Sequence, residues 1–171
     1  MSKIIKTHRL TLSPIALTDV KVLHNIWIKP QVRQYLWDNE IIPEEQTQGI
    51  IKKSIEMFDS SGTGLWKVLY LEQIIGFCGY WFFHEPPELQ ILYGLDPEYY
   101  GQGMATEVTK AMLKYGFEEL ALEKIVGSTD APNLASIRVM EKAGMFFEKQ
   151  VKKNNLDTIY FSISKEQFNS Y

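Results

Sequence analysis

One stretch constrains this chain more than any other: "ELQILYGLDPEYYGQGMATEVTKAMLKYGF", residues 88–117. Apolar residues alternate through Leu89, Ile91, Tyr93 and Leu95, the period of a strand with one face on a core. Glu88, Gln90, Leu92 and Gly94 take the other face, two polar side chains beside a glycine that permits close backbone approach. Asp96-Pro97 ends the run, because proline removes a ladder donor. Gly101 and Gly103 follow. Then Ala105, Val108, Met112 and Tyr115 recur at helical spacing over residues 103–120. A strand that enters a helix through two glycines has two readings. The unpaired first-turn amides, from Gln102 to Thr106, can receive a phosphate when no Cβ stands in the way. A plain connection would use the same glycines for positive φ. Spacing alone leaves both open.

The flanking sequence supplies the other elements. "RLTLSPI" (9–15) reads as a strand closed by Pro14, and Thr18-Asp19 as the cap of a helix carrying Val20, Leu23, Ile26 and Trp27. Pro30 ends that helix, and a short one follows. Pro43-Glu44-Glu45 opens a longer one, since proline suits the first turn and acids favour the positive end of the dipole. "LWKVLYL" and "IIGFCGYWFF" form a hairpin about Glu72-Gln73, and "EPPE" turns the chain into strand 88–95. "KIVGST" is a buried strand, Asp130-Ala131-Pro132 starts a helix that Gly144 ends, and two strands close the chain around Asn154-Asn155. The order predicts one mixed α+β domain over residues 1–171, without repeats or a linker.

Composition excludes several function classes. A net charge of −3 without a basic run gives nucleic acid phosphates nothing to hold, so no nucleic-acid partner is expected. The single cysteine, Cys78, rules out an intrachain disulfide and reads as a buried, inert thiol. His8, His24 and His84 are scattered, so no metal is expected. No signal-peptide pattern or membrane-length apolar stretch is visible, so the expected place is the cytoplasm, with no membrane contact, as a monomer or homodimer. "GQGMAT" also approaches a dinucleotide fingerprint, with Asp130 ending a later strand as a ribose-binding acid would. Against this, Thr106 replaces the third glycine, five residues separate strand from glycine, and no further βαβ units follow.

"LDPEYYGQGMATEVTKAML" resembles motif A of the GNAT superfamily of acyl-CoA N-acyltransferases, [Q/R]-x-x-G-x-[G/A], read here as Tyr100-Gly101-Gln102-Gly103-Met104-Ala105. Tyr100 departs from the general signature, but an aromatic residue followed by "GQGxATE" is similar to the subgroup of ribosomal-protein N-terminal alanine and serine acetyltransferases. "NLASIRVMEKAGMFFE" resembles a second segment of that subgroup through Asn133, Ser136, Val139, Lys142 and Gly144, and the opening "THRLTLSPIALTDV" is similar to its start.

The resemblance implies a twisted, mostly antiparallel sheet of about seven strands flanked by helices. It also implies a V-shaped cleft between strands 88–95 and 124–129 that holds coenzyme A. The pantetheine arm would pair with backbone near Tyr93 and Leu95, and the pyrophosphate would rest on Gly101, Gln102, Gly103, Met104, Ala105 and Thr106. Asn133 would bond the arm, and Ser136 would lie near the sulfur. Many relatives carry a tyrosine acid at the position of Met140, which would border the cofactor here but cannot donate a proton. Ser136 is then the donor to the thiolate. Glu88, with Gln90 holding a water, would be the base. The implied reaction is acetyl transfer from acetyl-CoA, without a metal, to a protein N-terminal amine or a small amine; the alternative is a non-catalytic acyl-CoA-binding domain. Among the aromatic residues, Trp37 beside Asp38-Asn39-Glu40 falls where the family builds its acceptor site.

Overall fold

In the computed structural model, residues 3–84, 87–153 and 155–170 are described. The expected turn at Glu85-Pro86 and Asn154 of the last hairpin lie outside them. In chain order the elements are β1 (Ile5–Lys6), β2 (Thr11–Pro14), α1 (Val20–Trp27), α2 (Pro30–Arg33), α3 (Glu44–Ser61), β3 (Leu65–Tyr70), β4 (Gln73–Phe83), β5 (Glu88–Leu95), α4 (Met104–Glu118), β6 (Lys124–Asp130), α5 (Leu134–Lys142), β7 (Phe146–Lys153), β8 (Leu156–Ser164) and α6 (Lys165–Asn169).

The strands form two antiparallel sheets rather than one, ordered β1-β2-β3-β4-β5 and β6-β8-β7. Leu71 and Glu72 join β3 to β4 with φ of 48° and 65°. Two consecutive left-handed residues give the turn whose twist matches that of the strands. β4 pairs with β5 from Gly76↔Leu95 to Phe83↔Glu88. Beyond β5 the ladder stops. Among the described residues no hydrogen-bonded register joins β5 to β6, and both are edge strands of their sheets. They approach through Gly127, where a Cβ would stand 3.0 Å from Ile91 Cγ2 and 3.1 Å from Met140 Sδ.

The larger sheet separates two cores, and the alternation of β5 assigns its residues to them. Ile91 and Leu95 pack with Met104, Val108, Met112 and Leu113, so α4 covers that face. Leu92 borders the other core, where Leu23, Ile26 and Trp27 of α1 meet Ile51 of α3 and Phe77 of β4. Cys78 sits mid-strand in β4 at 0% exposure, and burial pushes its thiol well above the usual range.

Two helix starts differ from expectation. Asp19 makes no side-chain cap on α1. Its carboxylate accepts from the Ala16 amide at 2.8 Å and from Lys67 Nζ at 2.8 Å, which ties the helix entry to β3. At α5, Asn133 rather than Pro132 marks the boundary, its side chain accepting from the Ser136 amide at 3.2 Å. A short polar side chain outcompetes proline here because it satisfies an orphan amide.

The packing of α4 gives a stability prediction. Alanine in a helix interior normally outranks glycine by about 1 kcal/mol. At Gly116, however, a Cβ would overlap the Tyr80 hydroxyl and lie 2.7 Å from Ile125 Cδ1. That hydroxyl is buried and donates to the Met112 carbonyl at 2.7 Å. Gly116→Ala is therefore expected to destabilise by about 1–3 kcal/mol, read as a melting temperature several degrees lower by calorimetry. An unchanged or higher melting temperature would contradict this packing.

Candidate active site

The segment after β5 turns tightly. The Asp96 carboxylate accepts from the Glu98 amide at 3.2 Å and from Lys29 Nζ at 2.6 Å, a bond that ties the α1–α2 corner to this loop. Gly101 and Gly103 then adopt φ of 73° and 75°. Left-handed backbone of this kind costs other L-residues about 1–2 kcal/mol, so the plain-turn explanation of these glycines holds. Yet α4 has no side-chain cap, so the amides of its first turn lack an intrahelical partner. A Cβ at Gly101 would meet nothing within 4 Å, and one at Gly103 would meet only Arg9 Nη2 at 3.7 Å. The mouth of the helix is open, and its unpaired amides carry partial positive charge.

Arg9 and Glu107 complete this loop, and neither was a sequence candidate. Glu107 sits in the first turn of α4, where its charge would oppose an incoming anion. It is neutralised in place. Arg9 Nε donates to Oε2 at 2.8 Å, while the Arg9 amide and Thr7 Oγ1 donate to Oε1 at 2.8 Å and 2.6 Å. Arg9 Nη1 also donates to the Gln102 carbonyl at 2.8 Å, fixing the loop between the glycines. Burial pushes the Glu107 carboxyl up, but the bonds from Thr7 and Arg9 outweigh it and hold the group below its usual 4.5. The partners are 98 residues apart, and no local pattern announces the pair.

Along β5 the predicted residues divide between its two faces. Tyr93 points towards α5, where its hydroxyl donates to the Ser136 carbonyl at 3.1 Å and lies 2.9 Å from Ser136 Oγ. Burial pushes the phenol up to about 12, with the Ser136 contact opposing. Sequence reasoning assigned Tyr93 only a backbone role, so the structure adds a hydroxyl there. Asn133 spends its side chain on the α5 cap and on a bond from Nδ2 to Thr129 Oγ1 at 2.9 Å. Leu95, Met104 and Met140 are 4%, 2% and 1% exposed. The first two can offer a ligand only backbone. Met140 lies under Gly127 in the core, and its side chain has no surface on the cleft.

On the opposite face, Gln90 is 1% exposed. Its Nε2 donates to Glu88 Oε2 at 2.9 Å, and its Oε1 accepts from Ser128 Oγ at 2.6 Å. Gln90 thus bridges the two parted strands and aims the exposed Glu88 carboxylate. Nearby, the Tyr160 hydroxyl lies 3.2 Å from His84 Nε2, and burial, with the Glu88 charge added, pushes that phenol up. At the end of β6, burial pushes the Asp130 carboxyl up and the charge of Asp38 adds to it. Trp37 packs 5.5 Å from Trp27 in the second core.

Comparison with known proteins identifies the family and the fold. The family model described as an acetyltransferase (GNAT) domain matches residues 9–146. An uncharacterised N-acetyltransferase, p20, of Bacillus licheniformis is 26% identical over 95% of this chain and 96% of its own length. A GNAT-family acetyltransferase from Bacillus anthracis superposes with a TM-score of 0.81 at 27% identity, covering 96% of this chain and 99% of its own. The ribosomal L7/L12 α-N-protein acetyltransferase RimL, solved with coenzyme A, shares the fold at a TM-score of 0.82 and 18% identity, over 95% and 98% of the two chains.

The Glu107 bonds predict a pH signature. A depressed carboxyl contributes stability that is complete above its unfolded value and lost as pH falls through the folded one. Glu107→Gln is expected to lower the urea midpoint at about pH 6, by about 1 kcal/mol in stability, with the gap to wild type closing towards about pH 3. A gap that stays constant over that range would remove the carboxylate charge from the account.

Proposed function

The chain belongs to the GNAT acetyltransferase family, and from that premise we propose that it moves an acetyl group from acetyl-CoA to a primary amine, a peptide N-terminal amine or a small amine, by direct attack. The observation that carries this is the uncapped helix mouth behind Gly101 and Gly103, set beside the unladdered edge of β5. The first suits a pyrophosphate without a lysine or metal. The second offers free backbone groups near Tyr93 and Leu95, to which an extended pantetheine arm can add like a strand. Acetyl-CoA supplies the thioester carbonyl.

In the transfer a C–N bond forms and the C–S bond breaks. The ammonium sheds two protons, one to solvent and one to the departing sulfur. Glu88, held by Gln90, is the group that relays the first proton, directly or through water. Tyr93 and Ser136 face the other side of the strand and serve the sulfur. A phenol near 12 does not surrender its proton to a thiolate whose own value is about 8.5. The pair therefore stabilises the developing charge by hydrogen bonding, with Ser136 Oγ as the donor and Tyr93, bonded to Ser136, as its support.

Three measurements test this. Calorimetry with coenzyme A and acetyl-CoA is expected to show binding, and no heat with either would end the proposal. Gly103→Asn keeps a residue tolerant of left-handed backbone while adding bulk at the helix mouth. It is expected to weaken coenzyme A about tenfold or more with the melting temperature nearly unchanged; equal affinity would move the phosphates elsewhere. Ser136→Ala should lower kcat more than it raises KM for acetyl-CoA, and Tyr93→Phe should do the same to a smaller degree. Coenzyme A binding without turnover on any amine would favour the non-catalytic alternative.

A further inference from the structure

The two sheets share no ladder, so side chains fix one against the other. Among the described residues, two side-chain hydrogen bonds join them directly. Ser128 Oγ donates to Gln90 Oε1 at 2.6 Å, and the Tyr160 hydroxyl lies 3.2 Å from His84 Nε2. Both bonds lie on one face. Ser128 and Tyr160 are register partners in the three-stranded sheet, and such partners share a face. Gln90 meets Ser128 there, and Glu88, two residues before it, points the same way. In the proposed transfer the first bond aims Glu88, while the second has no part.

The second link is a built feature. His84 follows directly on β4, whose last residue, Phe83, is the cross-strand partner of Glu88. Its backbone is left-handed, with φ of 68°, a conformation that a non-glycine residue keeps mainly where its surroundings hold it. The rings of Phe83, His84 and Tyr160 follow one another at centroid separations of 6.3 and 5.8 Å. Lys149 Nζ of β7 stands 4.8 Å from the Tyr160 ring centroid. Tyr160 is 9% exposed, and burial and the Glu88 charge both push its phenol up. The row of side chains thus runs from β4 to β7, across the gap between the sheets and on the carboxylate side.

A single hydrogen bond between two bodies is a pivot, whereas two at separate points resist rotation about either. We infer that His84 and Tyr160 are positioning residues for the transfer: their bond is the second fixed point between the sheets, and it holds the Glu88 end of β5 where the acceptor amine is attacked upon. Neither residue touches the reacting atoms; both act through Glu88. A displacement of about 1 Å in such a site can cost about a hundredfold in rate. Coenzyme A is held by the helix mouth at the other end of β5, so its affinity is independent of this bond. The inference rests on the acetyltransferase proposal and adds to it two residues that set the acceptor side.

Three variants test this. Tyr160→Phe removes the hydroxyl and keeps the ring. His84→Asn tolerates left-handed backbone but is too short to reach Tyr160, and His84→Gln restores the reach. Thiol release from acetyl-CoA is measured on an alanine-initiated peptide, a serine-initiated peptide and spermidine, with melting temperature and calorimetry of coenzyme A binding alongside. On the amine that the wild type turns over fastest, Tyr160→Phe and His84→Asn should each lower kcat about tenfold, with KM for acetyl-CoA and coenzyme A affinity within about twofold. Combining the two should cost no more than the slower single variant, since both break one bond. His84→Gln should recover most of the wild-type rate. Wild-type kcat in both single variants overturns the inference alone, as do losses that multiply in the double variant or a His84→Gln as slow as His84→Asn. Absence of coenzyme A binding overturns the acetyltransferase proposal beneath it. Coenzyme A binding without turnover of any of the three amines favours the non-catalytic alternative and removes this inference with it.

Discussion

Two neighbouring strand edges that decline to pair, those of β5 and β6, govern this molecule. Unpaired backbone groups are costly when sealed from water, so strands this close would ordinarily form a ladder. Side chains hold them beside each other instead. Ile91 fits against the bare backbone of Gly127, Met140 fills the space beneath, and Gln90 reaches across to Ser128. Free backbone along β5 follows from this arrangement, as does the position of the glycine loop at the end of that strand. Every chemical group discussed above is placed by its distance from the parted edges.

The two faces of β5 carry different groups. One face sends Tyr93 to Ser136, and the other carries Glu88 and Gln90, which bond each other and, through Gln90, Ser128 of β6. The halves are not independent. Lys29 at the α1–α2 corner bonds Asp96, which shapes the turn leading to Gly101. Arg9 grips the same loop from the N-terminal strands. The helix mouth is thus held from both ends by charges that come from distant parts of the sequence.

That arrangement explains what the sequence could disclose. The alternation of residues 88–95 correctly set Leu89, Ile91, Tyr93 and Leu95 towards one core, though not Leu92 against a second, and the amphipathic period found α4, because both are local consequences of one-sided burial. Gly101 and Gly103 were legible as a turn, because positive φ is a local requirement. Arg9–Glu107 was not, since a salt bridge across 98 residues leaves no periodic trace. Tyr93 was hidden by its own apolar neighbours: alternation records that a ring is half-buried, not where its hydroxyl ends. The resemblance set both Asn133 and Met140 beside the cofactor, whereas in the structure one caps the helix and the other is buried in the core. Strand patterns do not encode a missing ladder, and the opening between strands 88–95 and 124–129 was expected only from the family resemblance.

Cys78, the chain's one sulfhydryl, is sealed inside β4. A thioester-handling protein with an accessible thiol would risk acylating itself or being trapped as a mixed disulfide with a liberated thiol. Here that nucleophile is shut away and kept protonated. Maleimides or disulfide reagents should reach it only when the central sheet opens, so its modification rate is a native clock for unfolding, ready without an introduced label.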